Sequence, residues 1–287
     1  MGLLARTNDS EVVEQGGRTL SNYMCTHRAQ LQVAACGGAE VLVGCMQRWM
    51  DGRLGEQRES TVEQLGAALC NLTYENDANR IRVGEVGGCV ALVRLCRHSR
   101  SPRVLEQACA AIGNICKKNR TNRTALGDSG GCEVILTVLR KSPPEATAIQ
   151  AVRALGNVAM RSEENQLRLA AAGGLKLLLS LVETLSLRGG LAPLSPASAG
   201  GTVVQDHEAP PRAGESCTSS MSLRRGSDGS TPRGTGGILG DVQHQESFLA
   251  LTLSALAAMT APPLPNTRNR FARVVARSPV GGGAHAR

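Results

Sequence analysis

Between residues 11 and 186, the hydrophobic positions follow the period of an α-helix. In one stretch, apolar side chains recur at spacings of three and four residues, which is typical of a helix with one buried face. These side chains are Val104, Leu105, Ala108, Ala111, Ile112 and Ile115. A polar turn, a short segment ending at Gly130–Gly131 and a second apolar stretch at 134–139 follow. The pattern predicts three helices in this unit and no strand within 1–186.

The unit recurs along the chain with a fixed period. Three sets of positions share a spacing of 43 residues: Asn71, Asn114 and Asn157; Asn79, Asn122 and Asn165; and the Gly-Gly pairs at 87–88, 130–131 and 173–174. An upstream copy contains Asn22 and Gly37–Gly38, and a degenerate copy contains 255–258. A fixed period near 40 predicts a solenoid, in which each unit packs against its neighbours along the chain.

Glycine and proline mark the expected helix ends. Glycine adopts a positive φ without steric cost, so each Gly-Gly pair is expected at the bend between the first and second helices of a unit. Proline suits the first turn of a helix, so Ser101–Pro102 and Ser142–Pro144 are expected where third helices begin.

The domain organisation follows from the repeat and from local composition. We predict an N-terminal tail at 1–10, helical repeats at 11–187 that begin with a partial unit, and a final partial repeat at 246–277. Residues 188–245 are rich in Gly, Ser and Pro and contain too few apolar residues to form a core, so we predict a disordered insertion there. Residues 278–287 are predicted to form a disordered tail.

These features resemble the armadillo repeat. The resemblance rests on a short first helix with an Asn near its start, a Gly-Gly bend, an apolar second helix, and a third helix ending A-x-G-N-I/V, as at Ala111–Ile115 and Ala154–Val158. It covers about 11–186 and 246–277. It implies an all-α fold, an armadillo-type α-solenoid whose three-helix repeats wind into a right-handed superhelix with the third helices lining a concave groove.

Amide side chains recur on the predicted third helices. Each Gln precedes an Asn by seven residues, nearly two helical turns, so the two side chains share a face. The pairs are Gln15 with Asn22, Gln64 with Asn71, Gln107 with Asn114, and Gln150 with Asn157. A carboxamide both donates and accepts hydrogen bonds, which suits the backbone of an extended peptide, and in the family this Asn commonly binds such a backbone. The alternative is that the Asn residues bridge neighbouring helices and bind no partner.

The position one turn before each Asn bears on the charge of the partner. Importin alpha, the armadillo nuclear-import adaptor, has Trp there to hold a lysine side chain, whereas this chain has Arg18, Ala67, Ala110 and Arg153. The chain therefore departs from importin alpha. Arg18 and Arg153 would repel a basic segment, so they favour an acidic one.

Composition argues against several classes of protein. The net charge of +8 is spread along the chain, and one Trp, two Tyr and two Phe are too few to stack bases, so no nucleic-acid partner is expected. The ten Cys form no C-x-x-C motif and the five His are scattered, so we expect no metal site and no cofactor. Since no run of about 18 apolar residues occurs, we expect no membrane insertion.

The sequence also argues against an enzyme. Gly127–Gly131 reads G-D-S-G-G, as around the nucleophile of chymotrypsin-like proteases, but it aligns with the Gly-Gly bends of the neighbouring repeats and is interpreted as a helix end. No Gly-rich phosphate-binding loop occurs, and no acid pair or nucleophile lies outside the repeat pattern.

Two basic motifs remain. The densest positive cluster is Cys116–Arg120, which we interpret as favourable charge at the C-terminus of a helix. In the predicted insertion, Arg224–Ser227 has the R-R-x-S spacing of basophilic kinase substrates, so Ser227 is a candidate phosphorylation site.

The sequence therefore predicts a non-enzymatic interaction module of the cytoplasm, with the nucleus as an alternative, which binds an extended and acidic segment of another protein. Two alternative functions stay open. One is a small-GTPase regulator resembling the Smg GDP-dissociation stimulator, whose third helices and Gly-Gly bends are similar. The other is an architectural segment of a larger cytoskeletal, ciliary or vacuolar scaffold, with further repeats docked on its open ends.

Overall fold

The computed structural model describes residues 1–55, 58–188 and 250–260, and within these ranges all regular structure is α-helical. The helices are α1 (Gly2–Arg6), α2 (Ser10–Tyr23), α3 (His27–Ala35), α4 (Gly38–Met50), α5 (Glu59–Thr73), α6 (Asp77–Glu85), α7 (Gly88–His98), α8 (Pro102–Cys116), α9 (Arg120–Asp128), α10 (Gly131–Arg140), α11 (Glu145–Ala159), α12 (Glu163–Ala171), α13 (Gly174–Arg188) and α14 (Ala250–Thr260).

The helices group into the predicted three-helix units. A short first helix, a second helix and a third helix recur as α3–α5, α6–α8, α9–α11 and α12–α14. Helix α14 completes the last unit, because Ala255 packs on Gly156 of α11 as Ala154 of α11 packs on Gly113 of α8. The predicted α-solenoid is confirmed. Pro102 begins α8 and Pro144 caps α11, as expected from the sequence.

The Gly-Gly pairs form the bends between first and second helices. The first glycine of each pair is left-handed, with φ of 74° at Gly37, 85° at Gly87, 78° at Gly130 and 75° at Gly173. The second glycine begins the second helix so close to the first helix that a Cβ at Gly88 would lie 2.6 Å from the carbonyl oxygen of Val83. The G-D-S-G-G sequence is one of these bends, between α9 and α10.

Asparagines of the first helices join neighbouring units. Asn122 Nδ2 on α9 donates to Ile115 O at 2.9 Å and to Arg80 O of the preceding unit at 2.7 Å. Asn165 repeats both bonds one unit later, to Val158 O at 3.1 Å and Arg123 O at 2.8 Å. These asparagines therefore hold successive first helices in register.

The core is a continuous cluster of small and branched apolar side chains that includes most of the described cysteines. Burial raises the pKa of Cys89 and of Cys132 to about 12, so both thiols stay protonated at neutral pH. A protonated, buried thiol acts as a small hydrophobic side chain. Cys25 and Cys36 are exposed instead.

The N-terminal region differs from the prediction of a tail at 1–10, because α1 forms there and packs on α4. Leu4 is buried over Gly16. Arg48 on α4 donates to Leu4 O at 2.6 Å, Ala5 O at 3.1 Å and Thr7 O at 2.9 Å. These bonds satisfy carbonyls at the end of α1 that have no partner within the helix.

Several predictions lie outside the described residues. They are the disordered insertion at 188–245 apart from residue 188, the ends of the final repeat at 246–249 and 261–277, the tail at 278–287, and Ser227. In the described ranges, no single helix is long and apolar enough to cross a membrane; α3 and α4 satisfy that criterion only as a pair, with a bend of 72° between them.

Candidate partner-binding surface

The third helices α2, α5, α8 and α11 lie side by side, and each packs along the next. We call the face that they share away from the core the third-helix surface. Each of the predicted partner-binding residues lies on one of the four helices. The repeat therefore places similar side chains in rows that cross from one helix to the next.

Three of the predicted asparagines form a ladder across this surface. Nδ2 of Asn71 donates to Ser21 O at 2.8 Å and Ser21 Oγ at 3.0 Å. Nδ2 of Asn114 donates to Cys70 O at 3.1 Å, and Nδ2 of Asn157 donates to Gly113 O at 3.0 Å. Each Asn thus bridges to the preceding third helix, as the structural alternative predicted.

This bridging leaves part of each carboxamide unused. A primary amide has two N–H donors and an oxygen with two lone pairs. Among the described residues, the Oδ1 atoms of Asn71, Asn114 and Asn157 accept no hydrogen bond, and Asn114 and Asn157 each donate only one. The bridge fixes the orientation of each amide and leaves its oxygen without a donor among the described residues; Asn71 is buried, whereas Asn114 and Asn157 are half-buried.

The predicted glutamines have no internal partners. Gln64 is buried, Gln107 and Gln150 are half-buried and Gln15 is exposed. None of the four side chains forms a hydrogen bond with another described residue, and Oε1 of Gln150 is enclosed without a partner. Enclosed polar atoms are normally bonded to protein, water or a ligand, so this oxygen is a candidate acceptor.

The first copy of the amide pair lies on α2, the first of the third helices in the described chain. Asn22 on α2 is exposed, since α2 has no third helix before it in the described chain. Asn22 lines an open cavity of about 490 Å³. The other lining residues are Tyr23, Cys25, Thr26, Arg28, Ala29 and Gln32. Two of the lining residues belong to α2, and the others belong to the turn after α2 and to the first helix α3.

The two predicted arginines differ in their surroundings. Arg18 Nη2 lies 3.2 Å from Glu14 Oε1, and the other oxygen of this carboxylate accepts from Ser60 Oγ at 2.6 Å. Arg153 is exposed and forms no ion pair with the described residues. Arg18 is therefore partly neutralised, whereas Arg153 presents its full charge. The aligned positions hold Ala67 and Ala110, which are too small to form a side-chain pocket.

The structure adds two carboxylates that the sequence analysis missed. Glu63 on α5 and Glu106 on α8 are half-buried, and this burial raises the pKa of both side chains. Repulsion from Glu63 raises the pKa of Glu106 further, while Arg103 lowers the pKa of both. The sequence does hold a signal for them, because a Glu directly precedes Gln15, Gln64 and Gln107. The third-helix surface therefore carries both signs of charge.

Comparison with known proteins supports the repeat assignment. Residues 76–117 match the family described as Armadillo/beta-catenin-like repeat. The crystal structure of an engineered protein is similar at 27% sequence identity with a TM-score of 0.55, over 62% of this chain and 69% of that one. No curated protein matches the sequence.

Two designed armadillo proteins share the fold. A computationally designed armadillo repeat protein for modular peptide recognition is 23% identical over 63% of this chain and 72% of its own, with a TM-score of 0.55. A designed armadillo protein in complex with the peptide (KR)4 is 22% identical over 64% and 72% of the two chains, with a TM-score of 0.54. The armadillo fold is generally a non-enzymatic binding scaffold. Residues 76–117 thus match the armadillo repeat, and the repeating three-helix units of the described chain have the armadillo-type fold.

Proposed function

We propose that this chain binds an extended segment of another protein along the third-helix surface. The observation that carries the proposal is the row of oriented carboxamides whose oxygens have no partner within the described chain, on Asn71, Asn114 and Asn157. The designed armadillo protein that was solved with the peptide (KR)4 supports peptide binding as a use of this fold.

Carboxamides suit an extended backbone because each one offers an acceptor and donors within one planar group. A peptide in the extended conformation presents N–H and C=O groups on alternating sides. Bonds to these groups would hold the segment and set its direction, while side-chain preferences would come from the neighbouring charges. Gln107 and Gln150 would add contacts, since neither side-chain amide forms a hydrogen bond with another described residue.

The charges on the surface favour a partner segment that contains both acidic and basic residues. Arg153 favours an acidic residue opposite α11, whereas Arg18 contributes less because Glu14 already neutralises it. Glu63 and Glu106 favour a basic or neutral residue opposite α5 and α8, because a cation would relieve their repulsion. We propose that the acidic preference inferred from the sequence applies to the α11 end of the segment.

The test is peptide selection followed by a direct affinity measurement. Peptides are selected from a random display library on the full chain, and their Kd is measured by fluorescence polarisation for the native chain and for Gln107→Ala/Gln150→Ala. These glutamines form no internal hydrogen bonds, so the variant should keep its fold. We expect at least about tenfold weaker binding, since two hydrogen bonds are worth roughly 1 kcal/mol each.

The matched control is Thr137→Ala, which removes an exposed polar side chain from the second helix α10. It should bind the selected peptides as the native chain does. Equal affinity of the native chain and the Gln107→Ala/Gln150→Ala variant, with both folded by circular dichroism, would contradict the proposal.

The remaining expectations stay proposals. We infer a cytoplasmic protein, which imaging of a fluorescent fusion in cells tests. A nucleotide-exchange assay with prenylated small GTPases tests the alternative of a GTPase regulator. Sedimentation of the full chain tests the scaffold alternative, which requires self-association or docking of further repeats.

A further inference from the structure

Helix α9 contains a buried arginine that lacks an acidic partner. Arg123 is 7% exposed, and its Nη1 donates to Cys116 O at 3.2 Å. Its Nε is enclosed and has no hydrogen-bond partner. Burial lowers the pKa of this guanidinium, and repulsion from the nearby Arg161 and Arg120 lowers it further. A buried cation normally has a paired anion, so this arrangement is unusual.

In the neighbouring units, the residues equivalent to Arg123 are either paired with an acid or uncharged. On α6, the equivalent Arg80 is 3% exposed, donates from Nε to Thr73 O at 3.0 Å, and forms an ion pair with Asp77. The position of Asp77 is taken by Arg120 on α9. On α12, the equivalent residue is the uncharged Gln166, whose amide donates to Ala159 O at 3.2 Å and Ala258 O at 2.7 Å. The α9 unit thus keeps the buried cation and replaces its acid by a second cation.

The surrounding surface is also positive. Lys117, Lys118, Arg120 and Arg161 are all exposed around the turn from α8 to α9 and the next turn along the chain. The first turn of α9 contains no acidic residue, whereas that of α6 contains Asp77. A lone surface cluster of this kind is normally solvated. The buried Arg123 beneath it is the feature that distinguishes this cluster.

The cluster lies at the rim of the third-helix surface. Helix α8 ends at Cys116, two residues after Asn114, and Lys117 and Lys118 follow directly. Arg123 in turn donates to Cys116 O at 3.2 Å, so the cluster adjoins the end of the helix that carries Asn114. The location links the cluster to the peptide proposed above.

We propose that Arg120 and Arg123, with Lys118, bind the phosphoryl group of a phosphorylated side chain on the partner segment. On α6, one carboxylate neutralises one arginine. On α9, Arg120 adds a second positive charge, so neutralisation requires a group with about two negative charges, as a phosphomonoester has at neutral pH. Arginine forks also match phosphate oxygens geometrically. The choice of partner rests on the proposed function, whereas the anion site itself does not.

The experiment titrates inorganic phosphate into the full, isotopically labelled chain at constant ionic strength and follows backbone amide resonances by NMR. We expect saturable shifts at residues 119–123. Two variants copy residues that the other repeats already accept: Arg120→Asp reproduces Asp77, and Arg123→Gln reproduces Gln166. Each should weaken phosphate binding at least tenfold. Arg100→Gln, at an exposed arginine without a partner among the described residues, should leave binding unchanged.

Three results would overturn the site. The first is chemical shifts that do not saturate with phosphate. The second is equal phosphate affinity of the native chain and a folded Arg120→Asp variant. The third is equal affinity for acetate and phosphate, which would mean a carboxylate site. Failure of the proposed function is distinguishable, because the Gln107→Ala/Gln150→Ala variant should lose peptides while it keeps phosphate binding.

Discussion

Position 84 on α6 has room only for glycine, because an asparagine of the next unit occupies the space beside it. A Cβ at Gly84 would overlap Oδ1 of Asn122, and one at Gly127 would overlap Oδ1 of Asn165. Both asparagines are buried and are fixed by two hydrogen bonds each. The glycine in the first helix and the asparagine of the following unit therefore form one packing element.

Replacement of this glycine should destabilise the protein. Gly→Ala inside a helix normally stabilises by about 0.5–1 kcal/mol. For Gly84→Ala we expect the opposite, a loss of about 1–3 kcal/mol in the free energy of unfolding, because the methyl group displaces the buried amide of Asn122. Urea unfolding measures the change in the free energy of unfolding for each variant. The control is Gly44→Ala, which should stabilise the helix because no atom lies within 4 Å of a Cβ there. A stabilised Gly84→Ala variant would refute this packing.

The sequence predicts the recurring asparagines of this contact but not the glycines that they meet. The 43-residue spacing reveals the column of Asn79, Asn122 and Asn165 and identifies equivalent positions in successive units. It does not reveal which residue of one unit meets which residue of the next, because that depends on the distance and rotation between units. The pair of Glu63 on α5 and Glu106 on α8, which lie in successive units, was missed for the same reason.

At the scale of helices, prediction succeeded where elements were long and periodic. The third helix α8 has about three turns of apolar spacing over 104–115, and it begins at Pro102 as expected. Helix α1 has five residues, too few to show a period, so the sequence suggested a tail. The carbonyls at its end are bonded by Arg48, which lies more than 40 residues away in the sequence.

Loss of Arg48 should therefore release α1. In Arg48→Ala, three carbonyls at the end of α1 lose their donor, and we expect a loss of about 1–3 kcal/mol together with fast amide exchange at residues 4–7. Hydrogen exchange followed by mass spectrometry measures this region directly. Arg53→Ala is the control, because Arg53 is exposed and its side chain has no partner among the described residues. Unchanged protection of α1 in Arg48→Ala would show that packing of Leu4 alone holds it.

At the scale of the whole molecule, each unit is covered by the next along the described chain, and α14 covers α11 of the α9–α11 unit. Ala255 is 1% exposed against Gly156 of α11, and Ala258 O accepts from Gln166 of α12 at 2.7 Å. In a solenoid, contacts are confined to neighbouring units, so a defect in one unit should spread only to those beside it.

Undocking α14 should therefore expose α11 and α12 and leave the N-terminal units intact. Ala255→Asp places a charge in the tight contact with Gly156, at a position that is 1% exposed in the native chain. We expect amide exchange in α11 and α12 to accelerate at least tenfold while α5 and α6 keep their protection. Ser254→Asp, at the exposed neighbouring position on α14, should exchange as the native chain does. Equal acceleration in all helices of the Ala255→Asp variant would mean that the repeats unfold as one cooperative unit, and the local, nearest-neighbour description would have to be abandoned.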